Sequence, residues 1–117
     1  MSKCPTFQVV GILGKKWTVV LIQEVALNGE NGFNAIFKRM KKISPKILSQ
    51  RLKELENISI IEKVLINEKL PVRTKYKLTA KGKELQSIIE SIKGCNIRYS
   101  DHQIECYKKE CVKCLLY

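Results

Sequence analysis

The chain has 117 residues, 22 Lys plus Arg against 11 Asp plus Glu, and a formal net charge of +11. That length is about one domain, enough for a modest core and too short for a large catalytic cavity plus a second module. With 44% hydrophobic and 28% charged residues, the composition excludes global disorder and collagen-like repeats. The longest apolar run, Val19 to Ile22, is far below the ~20 residues of a membrane span.

The start of the chain shows no long apolar centre and no small-residue cleavage site of a secretory signal, so a cytoplasmic protein is expected. Its five cysteines are then not expected to form a disulfide framework. Beyond that early stretch, the spacing predicts a first helix over 16–28, with Trp17, Val20, Leu21, Glu24 and Val25 on one face, Trp17 as a core anchor and Gly29 as the stop. Residues 28–32 read as a turn. Asn34 is expected to cap a short helix carrying Ile36, Phe37 and Met40 inward.

Ser44-Pro45 is a strong helix start, because a Ser hydroxyl accepts a free backbone N–H while proline at the first helical position has none to satisfy. A third helix over 44–56 follows. At 100° per residue its Leu48, Leu52 and Leu55 share one side, and Lys46, Ser49, Gln50 and Lys53 fall opposite. Such a helix, joined to its predecessor by a short loop, suits the DNA major groove: Gln bridges adenine N6 and N7, Lys reaches guanine O6 or N7, and Ser serves bases or phosphate.

Beyond Glu56, the β-branched run Ile60, Ile61, Val64, Leu65, Ile66 reads as a strand, followed by a polar turn around 67–71. The return segment alternates Val72, Thr74, Tyr76 and Leu78 with Arg73, Lys75 and Lys77, which makes a hairpin with one cationic face. Thr79 is expected to cap a last helix with Leu85, Ile88, Ile89 and Ile92 on one stripe, ended by Gly94. The predicted fold is therefore mainly α with a small β-hairpin, a winged helix-turn-helix, with a domain over 1–94 and a Cys-containing tail over 95–117.

The charge is concentrated. Residues 38–83 hold fourteen basic and four acidic side chains, and the run from Lys38 to Lys53 holds seven basic residues and no acid. A field of one sign attracts a polyanion, and nucleic acid is the commonest one in cytoplasm. An ordinary solvated face is the plain alternative, and an anionic membrane surface would call for exposed apolar residues opposite the lysines. The nucleic-acid candidates are Lys38, Arg39, Lys41 and Lys42 for phosphates, Lys46, Ser49 and Gln50 for base edges, with Ser44, Arg51 and Lys53 on the same helix and Lys69, Arg73 and Lys75 at the wing.

Four segments, in order and with little gapping over 4–93, resemble the HxlR-type regulators, relatives of the MarR group. They are Cys4-Pro5, Gly14-Lys15-Lys16-Trp17-Thr18, residues 43–56 (ISPKILSQRLKELE) and residues 71–82 (PVRTKYKLTAKG). The resemblance implies a dimeric DNA-binding transcription regulator, with the N-terminal segment and the terminal helices forming a two-fold interface and Arg73 reaching the DNA backbone or minor groove. Two 44–56 helices would then enter successive major grooves about 34 Å apart on an inverted-repeat operator. Ser59 departs from the family, which usually has Gly between recognition helix and wing.

Cys4 matches a cysteine that several members of that family use as a thiol switch; a buried, inert thiol is the other reading. In the tail, Cys106, Cys111 and Cys114 have the C-x4-C-x2-C spacing of plant-type ferredoxins, with Cys95 or His102 as a fourth ligand. An iron-sulfur cluster or zinc could use that set. A helix starting at Ser100-Asp101-His102-Gln103 would instead place Ile104, Tyr107, Cys111 and Cys114 along a seam, and Cys111 and Cys114 could form a redox pair. His102 reads as a surface polar residue as readily as a ligand.

An enzyme is not expected. The chain holds no Gly-rich phosphate loop, metalloprotease His pair or Ser nucleophile elbow, and its C-x-x-C lies outside any βαβ pattern. A winged-helix module for RNA or another protein is the competing class, though Trp17, Phe33, Phe37 and Tyr76 fall mostly at core positions and not where bases could stack.

Overall fold

The computed structural model describes residues 4–27, 31–67 and 73–99. Its elements are α1 (Pro5–Leu13), α2 (Thr18–Leu27), α3 (Phe33–Arg39), α4 (Pro45–Asn57), β1 (Ile61–Asn67), β2 (Arg73–Leu78) and α5 (Ala80–Arg98). No described helix is long and apolar enough to cross a membrane.

Helix α1 was not expected. It starts where Pro5 follows an extended Cys4, a junction proline favours because its φ is already helical. Next, α2 begins at Thr18 and not at residue 16, because Trp17 sits at φ 78°, outside any right-handed helix. Trp17 still packs against the core, half-buried. In α3 the cap is Gly32, whose carbonyl accepts from the Ile36 N–H at 3.0 Å. Asn34 lies exposed inside the first turn and does not cap it.

The expected start of α4 is present: Ser44 Oγ accepts from the Ile47 N–H at 3.2 Å, with Pro45 next. Its Leu48, Leu52 and Leu55 are buried with Leu21, Ile22, Ile36, Met40, Ile60 and Ile61 in the centre of the core. The helix ends on Ser59 at φ 62°. There the Ser59 N–H donates to the Glu56 carbonyl (3.0 Å) and the Ile60 N–H to Leu55 (2.9 Å). This is a Schellman ending, in which a left-handed residue turns the chain out of the helix.

Strands β1 and β2 pair antiparallel, Ile61 opposite Leu78 through Leu65 opposite Thr74, with an irregularity between Leu65 and Asn67. The Tyr76 N–H also donates to the Asn31 carbonyl at 2.9 Å, which ties the segment before α3 to the wing's other edge.

Thr79 caps α5 by accepting from the Gly82 N–H at 3.0 Å, and its own N–H donates to the Ile60 carbonyl at 3.1 Å. At Gly82 the helix lies so close to the α4–β1 junction that a Cβ would come within 2.1 Å of the Ile60 carbonyl oxygen.

Two expectations for α5 need correction. Gly94 does not end the helix, which continues to Arg98, so a division of the chain at 94/95 falls inside a continuous element. One interior glycine costs about 1 kcal/mol, too little to stop a long helix. The apolar stripe is also not all core: Leu85 and Ile89 are buried, whereas Ile88 and Ile92 are 54% and 60% exposed. The residues at 28–30, 68–72 and 100–117 lie outside the described residues, and with them the Gly29 stop, the turn between the strands, Val72 and the tail's capping box.

Candidate nucleic-acid interface

Burial of the three leucines fixes which side of α4 faces outward. Lys46, Ser49, Gln50 and Lys53 are all exposed on that side, about two turns of donors and positive charge without a carboxylate among them. Ser44 is exposed too, but its Oγ is held by the Ile47 N–H. Lys38, Lys41 and Lys42, at the end of α3 and in the following turn, are exposed beside this surface. On the wing Arg73 is exposed and Lys75 half-buried, while Lys77 pairs with Glu62 at 3.2 Å. Lys69 lies outside the described residues.

Two candidates do not join this surface. Arg39 turns inward: its Nε pairs with the buried Glu24 carboxylate, and its Nη2 donates to Asn31 Oδ1 at 2.9 Å. Asn31 in turn donates to the Val25 carbonyl at 2.9 Å, so Arg39 joins α3 to α2 and to the edge of the wing. Arg51 is 14% exposed. Its Nη1 pairs with Glu54 at 3.1 Å and its Nε donates to the Lys16 carbonyl at 3.1 Å. Glu54 also takes the Lys15 ammonium at 3.0 Å. The Arg51 and Glu54 spacing of i and i+3 was the sequence signal for this pairing; Lys15 gave none.

Cys4 is exposed, so the buried reading of it does not hold. The backbone N–H groups of Phe7 and then Thr6, together with the Thr6 hydroxyl, hold its thiol below the usual value. The first-turn N–H groups of a helix favour a thiolate in this way. Cys95 is exposed on α5. Among the described residues no three potential ligands gather around a metal position; Cys106, Cys111, Cys114 and His102 lie outside them.

A three-helix unit presenting its last helix outward, followed by an antiparallel wing and a closing helix, defines a winged helix-turn-helix DNA-binding protein. The chain belongs to the HxlR-like helix-turn-helix family, whose profile matches residues 12–104. The match begins after Cys4-Pro5 and continues past Gly94 into the tail. The chain is 40% identical over 90 residues to the HTH-type transcriptional regulator YvaP of Bacillus subtilis (76% of this chain, 82% of YvaP). It is 36% identical over 94 residues to the HTH-type transcriptional regulator YodB of the same organism (80% and 82%).

The reduced form of YodB superposes with a TM-score of 0.73 at 31% identity, over 86% of this chain and 97% of that one. The redox regulator HypR in its oxidized form superposes at 0.68 and 26% identity, over 84% and 99%. The chain is thus a helix-turn-helix transcriptional regulator, in a family of DNA-binding proteins and not of enzymes.

Proposed function

We propose that this regulator acts in the cytoplasm as a homodimer that reads an inverted-repeat operator, with α4 of each subunit in the major groove and the wing against backbone or minor groove. The observation that carries the reading is the division of α4: Leu48, Leu52 and Leu55 are buried while Lys46, Ser49, Gln50 and Lys53 are exposed. In this arrangement Lys46, Ser49 and Gln50 meet base edges, with Lys53 on the same face, and Lys38, Lys41, Lys42, Arg73 and Lys75 hold phosphates. Exposed apolar side chains on α1 (Phe7, Val10), on α5 (Ile88, Ile92) and just past its end (Tyr99) support the two-fold contact, since single-chain burial leaves them in water.

Control by thiol oxidation at Cys4 is the second part of the proposal. It is supported by the exposure and depressed pKa of that thiol and by the likeness to YodB, of which a diamide-treated form superposes at a TM-score of 0.69 and 31% identity, and to the redox regulator HypR.

Selection of bound duplexes from a random pool tests the core of the proposal. A two-fold motif is expected, with half-sites one helical turn apart. Gln50→Ala should lose about 1–3 kcal/mol of discrimination at one or two base positions, while Lys41→Ala should weaken all duplexes alike and reduce the salt slope by about 0.9. Equal affinity for selected and random duplex at moderate salt, or preference for single strands or RNA, overturns it.

A further inference from the structure

The stretch joining α1 to α2 touches the reading helix through a small polar cluster that the DNA surface does not use. Arg51 bridges two partners: Nε donates to the Lys16 carbonyl and Nη1 to Glu54, both at 3.1 Å. Glu54 receives Lys15 Nζ at 3.0 Å on its other oxygen. Neither Arg51 (14% exposed) nor Glu54 (19%) is a free surface charge. The turn they grip is itself unusual, with Trp17 in the left-handed region and the Lys16 ammonium over the Trp17 ring, 5.1 Å from its centroid.

On α4 these two side chains project from the flank between the leucine stripe and the outward face. A narrow stripe of three leucines resists withdrawal of the helix from the core but resists rotation about its own axis less well, because apolar contact is not directional. Hydrogen bonds from a planar guanidinium to two separate acceptors are directional. A roll of about 20° would move groups at a helix radius of ~5–6 Å by roughly 2 Å, enough to break paired hydrogen bonds to a base edge.

We propose that Arg51 and Glu54 are positioning residues for operator reading: with Lys15 and the Lys16 carbonyl they fix the roll of α4, and Arg51 makes no DNA contact of its own. The inference rests on the proposed duplex-reading function. It assigns to the α1–α2 turn the role of a lateral stop for the reading face.

The test measures affinity of the full chain for its selected duplex and for a random duplex across a salt series, in Arg51→Gln, Arg51→Lys, Glu54→Gln and Lys15→Gln. Lysine keeps the charge but lacks the rigid planar fork that aims one N–H at the Lys16 carbonyl and another at Glu54. Positioning therefore predicts that Arg51→Lys loses the selected-to-random ratio about tenfold, as Arg51→Gln does, with the salt slope kept. Glu54→Gln should bind the random duplex no worse, having lost an acid near a polyanion, and still lose the ratio. Lys15→Gln, at a half-exposed site that folding tolerates, should lose it by a smaller factor.

If Arg51 instead holds a phosphate, Arg51→Lys retains binding, and Arg51→Gln drops the slope by about 0.9 with the ratio unchanged; either result overturns the proposal. A wild-type chain that does not distinguish the duplexes defeats the operator reading itself. The clasp is then judged on the emission of Trp17, the one tryptophan of the chain: a shift in Arg51→Gln and Glu54→Gln in folded protein supports it, and unchanged emission overturns it.

Discussion

Ser59 stands at the one place where the chain leaves the reading helix for the wing, at φ 62°. A Cβ in that region costs roughly 1–2 kcal/mol, which glycine avoids while losing more backbone entropy on folding. This backbone would suit a glycine, and the serine here holds the Schellman geometry under strain. Ser59→Gly is expected to raise stability by about 0.5–1 kcal/mol in urea denaturation, with DNA affinity retained; lower stability would mean that the serine side chain contributes more than the strain. Cys4 invites a second measurement. Its thiol is exposed and held below the usual value by the N–H groups of Phe7 and Thr6. A lowered folded-state pKa means that thiolate is present below the pH where a free cysteine ionises, ~8.5. Alkylation of Cys4, followed by peptide mass mapping, should show a rate that rises through a midpoint below that of Cys4 in the denatured chain. Coincident midpoints would remove the physical basis for a selective sensor at this position.

At the scale of elements, the legible parts of the chain were those where two independent signals agreed. The α4 helix carried both a Ser-Pro start and a leucine period, β2 a strict alternation whose Tyr76 and Leu78 are buried, and α5 a Thr cap that accepts from Gly82. Helix α1 is illegible in the sequence because its nine residues include Gly11 and no charged side chain that would mark an outward face. The limits of α2 and α5 differ from the sequence expectation for backbone reasons: a left-handed Trp17 delays one, and a single Gly94 fails to stop the other. Within the site, charge type was readable but charge direction was not. Arg39 and Arg51 sit in the same basic run as Lys38, Lys41 and Lys42, yet both arginines face acids, Glu24 and Glu54, that lie far off in sequence or beside the reading face. The pair between α3 and α2 should show its character on mutation. Arg39→Ala takes the ion pair from a carboxylate that is 3% exposed and is expected to cost about 3 kcal/mol, whereas Lys38→Ala should stay within about 0.5 kcal/mol. Pairing Arg39→Met with Glu24→Gln should recover most of the loss; equal, small effects of Arg39→Ala and Lys38→Ala would show that Arg39 is a surface cation after all.

Over the whole molecule the charge is concentrated in the middle of the chain, whereas the exposed apolar side chains, apart from Leu65 and Ile66 on β1, lie before and after it. Residues 38–83 carry nearly all of the +11, while 84–117 hold five basic and five acidic side chains and 1–37 three and two. A chain this basic repels its own copies unless they meet where the field is weak. That region is where α1 exposes Phe7 and Val10 and α5 exposes Ile88 and Ile92 on one stripe with Cys95, with Tyr99 exposed just past the helix end. A two-fold contact through these helices, as proposed, would let the apolar ends pair while the cationic middles stay outward, one for each half of an inverted repeat. Linking two half-site readers raises operator affinity by about 10²–10⁴ without any new DNA contact. Ile92→Glu puts a carboxylate into the stripe without touching α4 or the wing. It should halve the mass seen by light scattering, lower operator affinity by that same order, and leave affinity for an isolated half-site within a factor of a few. A variant still dimeric with glutamates at both 88 and 92 would place the two-fold contact elsewhere on the chain and leave the exposed face of α5 without this role.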